Sequence, residues 1–456
     1  MSTAKPQHIV IMGAGLVGSM QAIFLARRGY RVSVYEQLPD IRKEAISAGR
    51  SINLALANRG IDALDRLGLM DQVNELLIPM QGRMLHDEAG QLKFQSYGQK
   101  PEEVIYSVSR AGLVSLLRDA AEATGQVTFH FKHECTAINF EQNQCTVINQ
   151  PTGENIFVAY DYLIGADGGG SQVRQSMKDL QETTFSAELL DHSYKELTIP
   201  PAADGGFQLE PEALHIWPRG DYMMIGLPNP DGSFTLTLFM PNEGPISFAS
   251  INDEAALHDL FDQFFADAKP LIPDLVHDYF NNPTGYLGTI RCQDWHYQRA
   301  VLTGDAAHAI VPFHGQGMNA GFEDCVAMEQ ALTRFDDDWQ QAIPAFVDSR
   351  MDNSNAIADM ALENYVEMRA TVNDPKFHLK KAIAFELERR LPDYFIPRYS
   401  MVMFHLIPYA QAFARGKIQA KILSDLTVGV EALDQVNMAR AERLVKQKLP
   451  RLPHRG

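Results

Sequence analysis

The sequence predicts an α/β fold: a Rossmann-like dinucleotide-binding domain with an inserted, mostly antiparallel β-sheet domain and a helical C-terminal region. Three observations support this prediction. A short apolar run before a glycine-rich turn is followed by a helical pattern and a second β-rich run, which is the order of a βαβ unit. Residues 189–288 alternate short strand patterns with turns, and residues from 373 onward are helical in pattern.

The glycine-rich turn of the first βαβ unit has the sequence GAGLVG at residues 13–18. We expect Gly13 to permit the tight turn, Gly15 to let the backbone approach a pyrophosphate, and Gly18 to let helix and strand pack closely. The helix N-terminus then favours the bound anion. Glu36, at the end of the second strand, is placed to accept hydrogen bonds from an adenosine ribose. An ordinary loop is the alternative interpretation of a single turn of this type.

Between the motifs, apolar spacing predicts a helix over residues 51–69 and another over Arg110–Ala123. The turn at residues 87–90 predicts a hairpin. Three consecutive antiparallel strands are predicted in the inserted domain, over residues 213–217, 222–227 and 234–240.

Motifs later in the chain complete the same nucleotide site. LTGDAAH, residues 302–308, ends a strand and places Asp305 to bond a ribityl hydroxyl, and GQGMN, residues 315–319, opens a helix. The free N–H groups of that helix favour negative charge, as on reduced flavin. In ADG, residues 166–168, Asp167 either serves this site or caps the following helix, and the residues alone leave both open. The motifs at residues 13–18, 166–168 and 302–308, in this order, predict an FAD site.

These patterns divide the chain into six segments. The FAD-binding domain is predicted in three parts, residues 1–75, 106–185 and 289–372, the last including a long helix. Residues 76–105 form a hairpin that contributes to the substrate sheet, residues 186–288 form the substrate-binding β-sheet domain, and residues 373–456 form the C-terminal helical region.

Composition excludes several classes of function. The formal net charge of −17 over 456 residues argues against nucleic acid. Four cysteines without a C-x-x-C pair suit a reducing, cytoplasmic compartment. His130, His133 and Cys135 resemble metal ligands, but one strand over residues 127–135 would point the two histidines to opposite faces, so we expect no metal. No stretch reaches the roughly 20 apolar residues of a membrane span, so we expect no membrane anchor.

The three flavin motifs resemble those of class A flavoprotein monooxygenases, which are FAD-dependent aromatic hydroxylases. Longer blocks resemble the kynurenine 3-monooxygenases of the soluble bacterial type, and the resemblance runs from about residue 8 to 416. The eukaryotic members of that family carry a C-terminal membrane anchor. The blocks are residues 49–56, 213–218, 312–319, 363–368 and 395–401.

The resemblance implies a monooxygenase of tryptophan degradation by the kynurenine pathway. It implies that NADPH reduces FAD, that O2 then forms a flavin C4a-hydroperoxide, and that L-kynurenine becomes 3-hydroxy-L-kynurenine. The cofactor carries the chemistry, so no side chain is expected to act as nucleophile or acid/base.

The substrate-binding positions of the family match Arg83, Tyr97, Asn364 and Tyr399. These residue types suit an amino-acid substrate, because a guanidinium binds a carboxylate in a bidentate manner and the others supply polar groups. The ring needs an apolar slot, for which the candidates are Phe239, Phe313, Leu214, Met223, Ile225 and Met368. A surface ion pair for the arginine and ordinary core packing for the apolar residues are the alternatives.

The flavin-contact positions of the family add a second set of residues. These added residues are Val17, Ala55, Arg110, Met318, Asn319 and Cys135. The flavin-binding residues already expected from the motifs are Gly13, Gly15, Gly18, Glu36, Asp305 and Gly317. Relatives carry other residues where this chain has Cys135. His314, just before the flavin-facing helix, either orients the substrate ketone or aniline nitrogen or is a structural histidine.

Three rival functions share features with this interpretation. A class A hydroxylase of another aromatic acid or phenol would share every flavin motif. A non-hydroxylating FAD-dependent reductase would not need the hydroperoxide pocket, and a non-catalytic flavin-binding protein would not need the intact loops. The sequence leaves open a homodimer and the choice between NADPH and NADH.

Overall fold

The computed structural model describes residues 8–44, 53–368 and 375–452, which contain nineteen β-strands and fourteen α-helices. The strands are β1 (His8–Met12), β2 (Arg31–Glu36), β3 (Asn53–Leu56), β4 (Leu77–Met80), β5 (Gly82–His86), β6 (Leu92–Ser96), β7 (Ile105–Ser109), β8 (Val127–Phe131), β9 (His133–Asn139), β10 (Gln144–Asn149), β11 (Glu154–Ala159), β12 (Tyr162–Gly165), β13 (Phe185–Ile199), β14 (Ala213–Arg219), β15 (Tyr222–Pro228), β16 (Phe234–Pro241), β17 (Gly285–Cys292), β18 (His296–Tyr297) and β19 (Ala300–Leu302). The helices are α1 (Leu16–Arg27), α2 (Asn58–Arg66), α3 (Met70–Asn74), α4 (Arg110–Ala123), α5 (Gln172–Asp179), α6 (Glu254–Phe264), α7 (Leu275–Asn281), α8 (Asp305–His308), α9 (Gly317–Arg334), α10 (Trp339–Val366), α11 (Pro375–Arg390), α12 (Arg398–Met403), α13 (Tyr409–Leu426) and α14 (Met438–Lys448).

The nucleotide-binding domain is built on a six-stranded sheet of order β18-β19-β12-β1-β2-β8. Its strands pair in parallel except for β18, which is antiparallel to β19. The apolar run of β1 is almost fully buried, as expected for a central strand covered by helices on both faces. The α/β class and the first βαβ unit, β1-α1-β2, are confirmed.

The inserted domain is a seven-stranded sheet of order β17-β13-β16-β15-β14-β5-β6. All neighbours are antiparallel except β14 and β5, and β5 and β6 form the hairpin expected around residues 87–90. Alternate residues of β16 face opposite sides: Leu236 and Leu238 pack with α6 and α7 in one core, and Phe239 belongs to another. The division into six segments stays a prediction.

The C-terminal region is helical, as predicted. The long α10 packs against α9 and α13, and α11, α13 and α14 share an apolar core of their own. None of the helices that the structure describes is long and apolar enough to cross a membrane.

Two local predictions were wrong. The expected helix over residues 51–69 is strand β3 followed by α2, because β3 pairs with β7 in a small antiparallel sheet and this pairing overrides the helical spacing. Residues 51 and 52, like residues 49 and 50 of the block at 49–56, lie outside the described part of the chain.

The single strand expected over residues 127–135 was also wrong. It is two strands, β8 and β9, broken at Lys132, whose φ is +58°. The break brings the rings of His130 and His133 to 5.8 Å between centroids instead of placing them on opposite faces. Among the described residues, no group of three or more metal-ligand side chains is placed to hold an ion.

Candidate active site

A cavity of about 440 Å³ lies where the two sheets meet. Its walls come from the glycine turn before α1, strand β3, the loops that follow β19, the middle strands of the seven-stranded sheet, and α12. The dinucleotide motifs and the candidate substrate residues therefore share one cavity. Most of the residues assigned from the sequence line it: Gly15, Val17, Ala55, Arg83, Tyr97, Arg110, Leu214, Ile225, Phe239, Asp305, Phe313, His314, Gly317, Met318, Met368 and Tyr399.

The three glycines of the turn occupy different environments. A Cβ on Gly13, whose φ is +97°, would lie 2.4 Å from the carbonyl oxygen of Ala166. A Cβ on Gly18 would lie 1.9 Å from the carbonyl oxygen of Gly13, so both positions require glycine. A Cβ on Gly15 would meet no atom within 4 Å and would project beside the cavity. Gly13 and Gly18 are required for packing, and Gly15 leaves a space that a ligand can fill.

Glu36 stabilises the same turn from the end of β2. Its carboxylate accepts hydrogen bonds from the backbone N–H of Ala14 and of Leu38, each at 2.9 Å. Each carboxylate oxygen keeps a second lone pair for a ribose hydroxyl. Glu36 is not part of the cavity wall described above, and its contact with a ribose stays a prediction.

Asp167 acts as a helix cap. Its carboxylate accepts hydrogen bonds from the hydroxyl of Ser171 at 2.6 Å and from the backbone N–H of Gln172 and Val173 at 2.7 and 3.2 Å. These contacts orient the start of α5 and hold the neighbouring Gly168 at the cavity wall. Of the two interpretations left open by the sequence, the structure shows the capping one.

The loop that carries Asp305 is held from behind by a buried ion cluster. Asp324 on α9 is fully buried and accepts hydrogen bonds from the backbone N–H of Gly304 at 2.9 Å, from His308 at 2.6 Å and from Arg350 at 2.7 Å. Burial alone would raise the pKa of Asp324, but His308 and Arg350 outweigh it and lower the pKa to about 2. The carboxylate thus stays ionised, and Asp305 is left exposed on the cavity wall.

The N-terminus of α9 contributes Gly317 and Met318 to the wall, and Asn319, which is not part of the wall, is fully buried beside them. The Asn319 amide donates hydrogen bonds to the carbonyl oxygens of Ala55 and Gly315 at 2.8 and 2.9 Å, and its oxygen accepts one from the N–H of Ala57 at 2.9 Å. Asn319 therefore joins β3 to the loop at residues 312–316. A direct flavin contact by its side chain stays a prediction.

Cys135 lies on β9, outside the cavity wall. It is paired in register with Val147 of β10, and Cys145 lies two residues away on that strand. The neighbouring Cys135 thiol is the largest cause of the raised pKa of Cys145, and burial adds to it. The expected flavin contact at Cys135 stays a prediction, whereas Arg110, the first residue of α4, is exposed on the wall.

Arg83, Tyr97 and Tyr399 come together at one end of the cavity. The guanidinium carbon of Arg83 lies 5.7 Å from the ring centroid of Tyr97 and 5.3 Å from that of Tyr399, and the two rings stack at 5.7 Å. Arg83 is only 8% exposed, and its Nε finds no hydrogen-bond partner within the described chain. Burial would lower the pKa of Arg83, but the two tyrosines and Glu367 raise it, so the side chain stays a cation.

His314 lies beside this cluster on the cavity wall. Its ring stacks on Tyr399 at 5.5 Å with an interplanar angle of 19°. Burial lowers the pKa of His314 to about 4, so the imidazole is neutral at physiological pH. Its Nδ1 is buried and makes no hydrogen bond to any residue that the structure describes.

Two of the expected substrate-binding residues, Asn364 and Met223, are not part of the cavity wall. Asn364 on α10 donates a hydrogen bond from Nδ2 to the carbonyl oxygen of Phe313 and contacts the sulfur of Met368 at 3.4 Å. Met223 is buried and lies opposite Phe239 on the neighbouring strand. Both residues support side chains that line the cavity, and direct contacts with substrate stay predictions.

Comparison with known proteins identifies the family. A family model described as an FAD binding domain matches residues 7–207 and 274–358. A kynurenine 3-monooxygenase of Myxococcus xanthus (strain DK1622) is 45% identical over 450 residues, which are 98% of this chain and 97% of the relative. Another from Stenotrophomonas maltophilia (strain K279a) is 47% identical over 445 residues, 97% of each chain. This chain belongs to the kynurenine 3-monooxygenase family.

Solved structures share the fold of this kynurenine 3-monooxygenase family member at low sequence identity. A tetrameric form of 2-methyl-3-hydroxypyridine-5-carboxylic acid oxygenase superposes with a TM-score of 0.64 at 20% identity, covering 84% of this chain and 98% of that one. PqsL of P. aeruginosa, in complex with 2-aminobenzoylacetate, gives 0.65 at 19% identity, covering 80% and 97%. The flavin hydroxylase fold is confirmed.

The residues of this kynurenine 3-monooxygenase family member fit FAD, the cofactor of the family. The open space beside Gly15 provides room for a phosphate against the backbone, and Asp305 offers an exposed carboxylate on the same wall. The N-terminus of α9 adds backbone N–H groups at Gly317 and Met318. The backbone N–H groups can bind an anionic ligand, and the carboxylate of Asp305 can accept hydrogen bonds from its hydroxyl groups.

Several residues important for the site of this kynurenine 3-monooxygenase family member were missed by the sequence reasoning. Asp324 and Arg350 fix the Asp305 loop, and Tyr194, Thr237 and Met403 line the cavity. A charged residue on the buried side of a helical pattern was the available signal for Asp324. Tyr194 and Met403 left no signal, because only tertiary packing brings them to the wall.

Proposed function

We propose that this protein hydroxylates L-kynurenine to 3-hydroxy-L-kynurenine with FAD, NADPH and O2. The observation that carries the proposal is the buried Arg83, which has an unpartnered Nε and lies beside two stacked tyrosine rings at one end of a cavity that also holds the flavin motifs. A buried cation of this kind favours a ligand with a carboxylate. The names of the full-length relatives agree with an amino-acid substrate.

The cofactor would be held by the glycine turn and the α9 side of the cavity. Gly15 and Val17 would contact the pyrophosphate and ribityl region, Asp305 a ribityl hydroxyl, and Gly317 and Met318 the flavin ring. When bound, FAD accepts hydride from NADPH and activates O2 for transfer of one oxygen atom to the substrate ring.

The protein's own contribution is to bind and orient the substrate and to exclude water. Arg83 would bind the carboxylate, and the hydroxyls of Tyr97 and Tyr399 would hydrogen-bond the same end of the molecule. Neutral His314, with its free Nδ1, would hydrogen-bond the ketone or the aniline nitrogen without adding a competing charge.

The aromatic ring would lie in the apolar part of the cavity. Its walls are side chains from three strands, the loop before α9 and the segment after α10, and the rings of Phe239 and Phe313 are 5.1 Å apart. Phe313 is in turn stacked on Tyr365 at 4.2 Å, which fixes its orientation. Water exclusion by these walls favours hydroxylation over loss of reducing equivalents as hydrogen peroxide. The other wall residues are Leu214, Ile225 and Met368.

A substrate panel tests the proposal. The FAD-loaded protein is mixed with NADPH and O2 and with L-kynurenine, anthranilate, 4-hydroxybenzoate or phenol, and NADPH oxidation and product mass are followed. We expect rapid oxidation and a product one oxygen atom heavier with L-kynurenine alone. Hydroxylation of a benzoate or phenol in its place would support a different aromatic hydroxylase, and NADPH oxidation without any hydroxylated product would support a reductase.

A further inference from the structure

The C-terminal helices contact the flavin-facing loop, residues 312–316, through buried side chains. Tyr409, the first residue of α13, donates a hydrogen bond to Oε1 of Gln316 at 2.6 Å. The Nε2 of Gln316 lies 3.0 Å from the sulfur of Met403, the last residue of α12 and part of the cavity wall. Tyr409 and Gln316 are both fully buried. Both polar atoms of the Gln316 side chain are thus used by the C-terminal region.

Tyr409 is itself held in place from the nucleotide domain. The guanidinium carbon of Arg59, on α2, lies 3.9 Å from its ring centroid. Arg59 also donates a hydrogen bond to the carbonyl oxygen of Ile407, just before α13, and pairs with Glu323 on α9. The side chain of Arg59 is fully buried, so this contact joins the two regions out of water.

The loop at residues 312–316 depends on side-chain contacts because it has few backbone hydrogen bonds of its own. It forms one short 3-10 turn, closed by the N–H of Gly315 on the carbonyl oxygen of Pro312 at 2.8 Å. Asn364 holds the carbonyl of Phe313, and Tyr409 holds the side chain of Gln316. The residues between these two anchor points line the cavity.

We propose that Tyr409 is a positioning residue: through Gln316 it fixes the flavin-facing loop, so that the C-terminal helices keep the cavity wall closed around the reacting ring. The inference rests on the proposed hydroxylation for its catalytic consequence. A loosened loop admits water, and reducing equivalents then leave as hydrogen peroxide, with one O2 reduced by one NADPH and a proton and no oxygen transferred to substrate.

The Tyr409→Phe variant isolates this hydrogen bond. It keeps the aromatic ring and its contact with Arg59 but leaves the buried Oε1 of Gln316 without its donor. Gln316→Leu removes the other partner, and the double variant completes the cycle. Tyr394→Phe is the matched control, because Tyr394 packs against the C-terminal helical core and bonds other described residues, Arg415 and Leu391, through its backbone and not its hydroxyl.

Two quantities are measured on the full chain. Hydrogen–deuterium exchange at residues 312–319 is followed with and without FAD, and hydrogen peroxide formed per NADPH is measured with L-kynurenine. We expect both single variants to speed exchange in the loop by about tenfold and to raise the peroxide fraction severalfold, with Tyr394→Phe unchanged. The double variant should be no worse than the more severe single variant, because both remove the same contact.

Three results would overturn the proposal: wild-type exchange in the loop of Tyr409→Phe, an equal rise in exchange over the whole chain, or additive effects in the double variant. The exchange arm needs no substrate. If exchange in the loop rises in the variants but the protein does not hydroxylate kynurenine, the positioning role is supported and the proposed function is rejected. Failure of the positioning role can therefore be distinguished from failure of the proposed function.

Discussion

Arg83 lies over the ring of Tyr399, with 5.3 Å between its guanidinium carbon and the ring centroid, although the two residues are 316 positions apart in the chain. β5 carries the arginine and α12 carries the tyrosine, so the inserted sheet and the C-terminal helices each supply half of this contact. The guanidinium of Arg83 is buried, and its Nε has no hydrogen-bond partner among the described residues. The specificity that we propose for L-kynurenine, a substrate with a carboxylate, depends on this end of the cavity.

Replacing Gly15 should weaken FAD binding selectively. A Cβ at this position meets no protein atom, so Gly15→Ala should fold normally, but the methyl group would occupy the space where the backbone meets the phosphates. We expect the dissociation constant for FAD, measured by fluorescence quenching on the apoprotein, to rise at least about tenfold, or ~1.4 kcal/mol.

Gly170→Ala is the matched control for that substitution, because a Cβ there also meets no atom and its φ needs no glycine. Gly170 lies outside the cavity wall, so the affinity of the Gly170→Ala variant for FAD should stay at the wild-type value. Equal FAD affinities in the two variants would show that Gly15 does not adjoin the bound cofactor.

Asp324→Asn should loosen the loop that carries Asp305. The substitution leaves buried Arg350 with one fewer anionic partner, and breaking a buried pair in this way costs about 3 kcal/mol of unfolding free energy. FAD affinity should fall as well, because the carboxylate holds the N–H of Gly304. Urea unfolding and FAD titration measure the two effects, with exposed Asp352→Asn as the control. A stable variant with wild-type FAD affinity would contradict the role of the ion cluster.

His314 should make the folded state less stable in mild acid. Its folded pKa is about 4, below the ordinary value of 6.5, so the folded protein binds fewer protons than the unfolded chain between these values. Stability is therefore complete above pH 6.5 and falls as the pH drops towards 4, by about 2 kcal/mol at pH 5 from this residue.

The measurement for this prediction is urea unfolding at pH 7.5 and pH 5. His314→Gln should show a smaller loss of unfolding free energy between the two values than the wild type, because Gln does not titrate. Burial also lowers the pKa of His215 to about 4. His215 therefore contributes the same loss of unfolding free energy in the wild type and in the variant. An unchanged pH dependence in the variant would mean that His314 is not kept neutral by burial.

The sequence predicted the fold well where local signals and tertiary structure agree. The glycine turn and the alternation of Leu236, Leu238 and Phe239 are local patterns whose consequences do not depend on distant partners. Strand β3 was missed because its pairing with β7, more than fifty residues later, overrides a helical spacing. The break at Lys132 was missed because a positive φ at a non-glycine residue carries no sequence signal.

The candidate site was predicted in part for the same reason. The family resemblance supplied Arg83, Tyr97 and Tyr399, which the structure brings together. It also supplied Asn364 and Asn319, whose side chains bond backbone carbonyl oxygens of residues in the cavity wall and whose contacts with substrate and flavin stay predictions. A motif gives the identity of a residue but not the direction in which its side chain points. Contacts such as Tyr409 to Gln316 join residues 93 positions apart and leave no local pattern.

The most direct test of the central claim is a pair of binding measurements on Arg83. The FAD-loaded wild type and Arg83→Met are titrated with L-kynurenine and with the same molecule lacking its carboxylate, following the flavin absorbance. The wild type should prefer L-kynurenine by about 2 kcal/mol or more, and Arg83→Met should lose that preference while exposed Arg443→Met keeps it. A preference that survives in Arg83→Met would show that the carboxylate binds elsewhere, and the account of this site would be wrong.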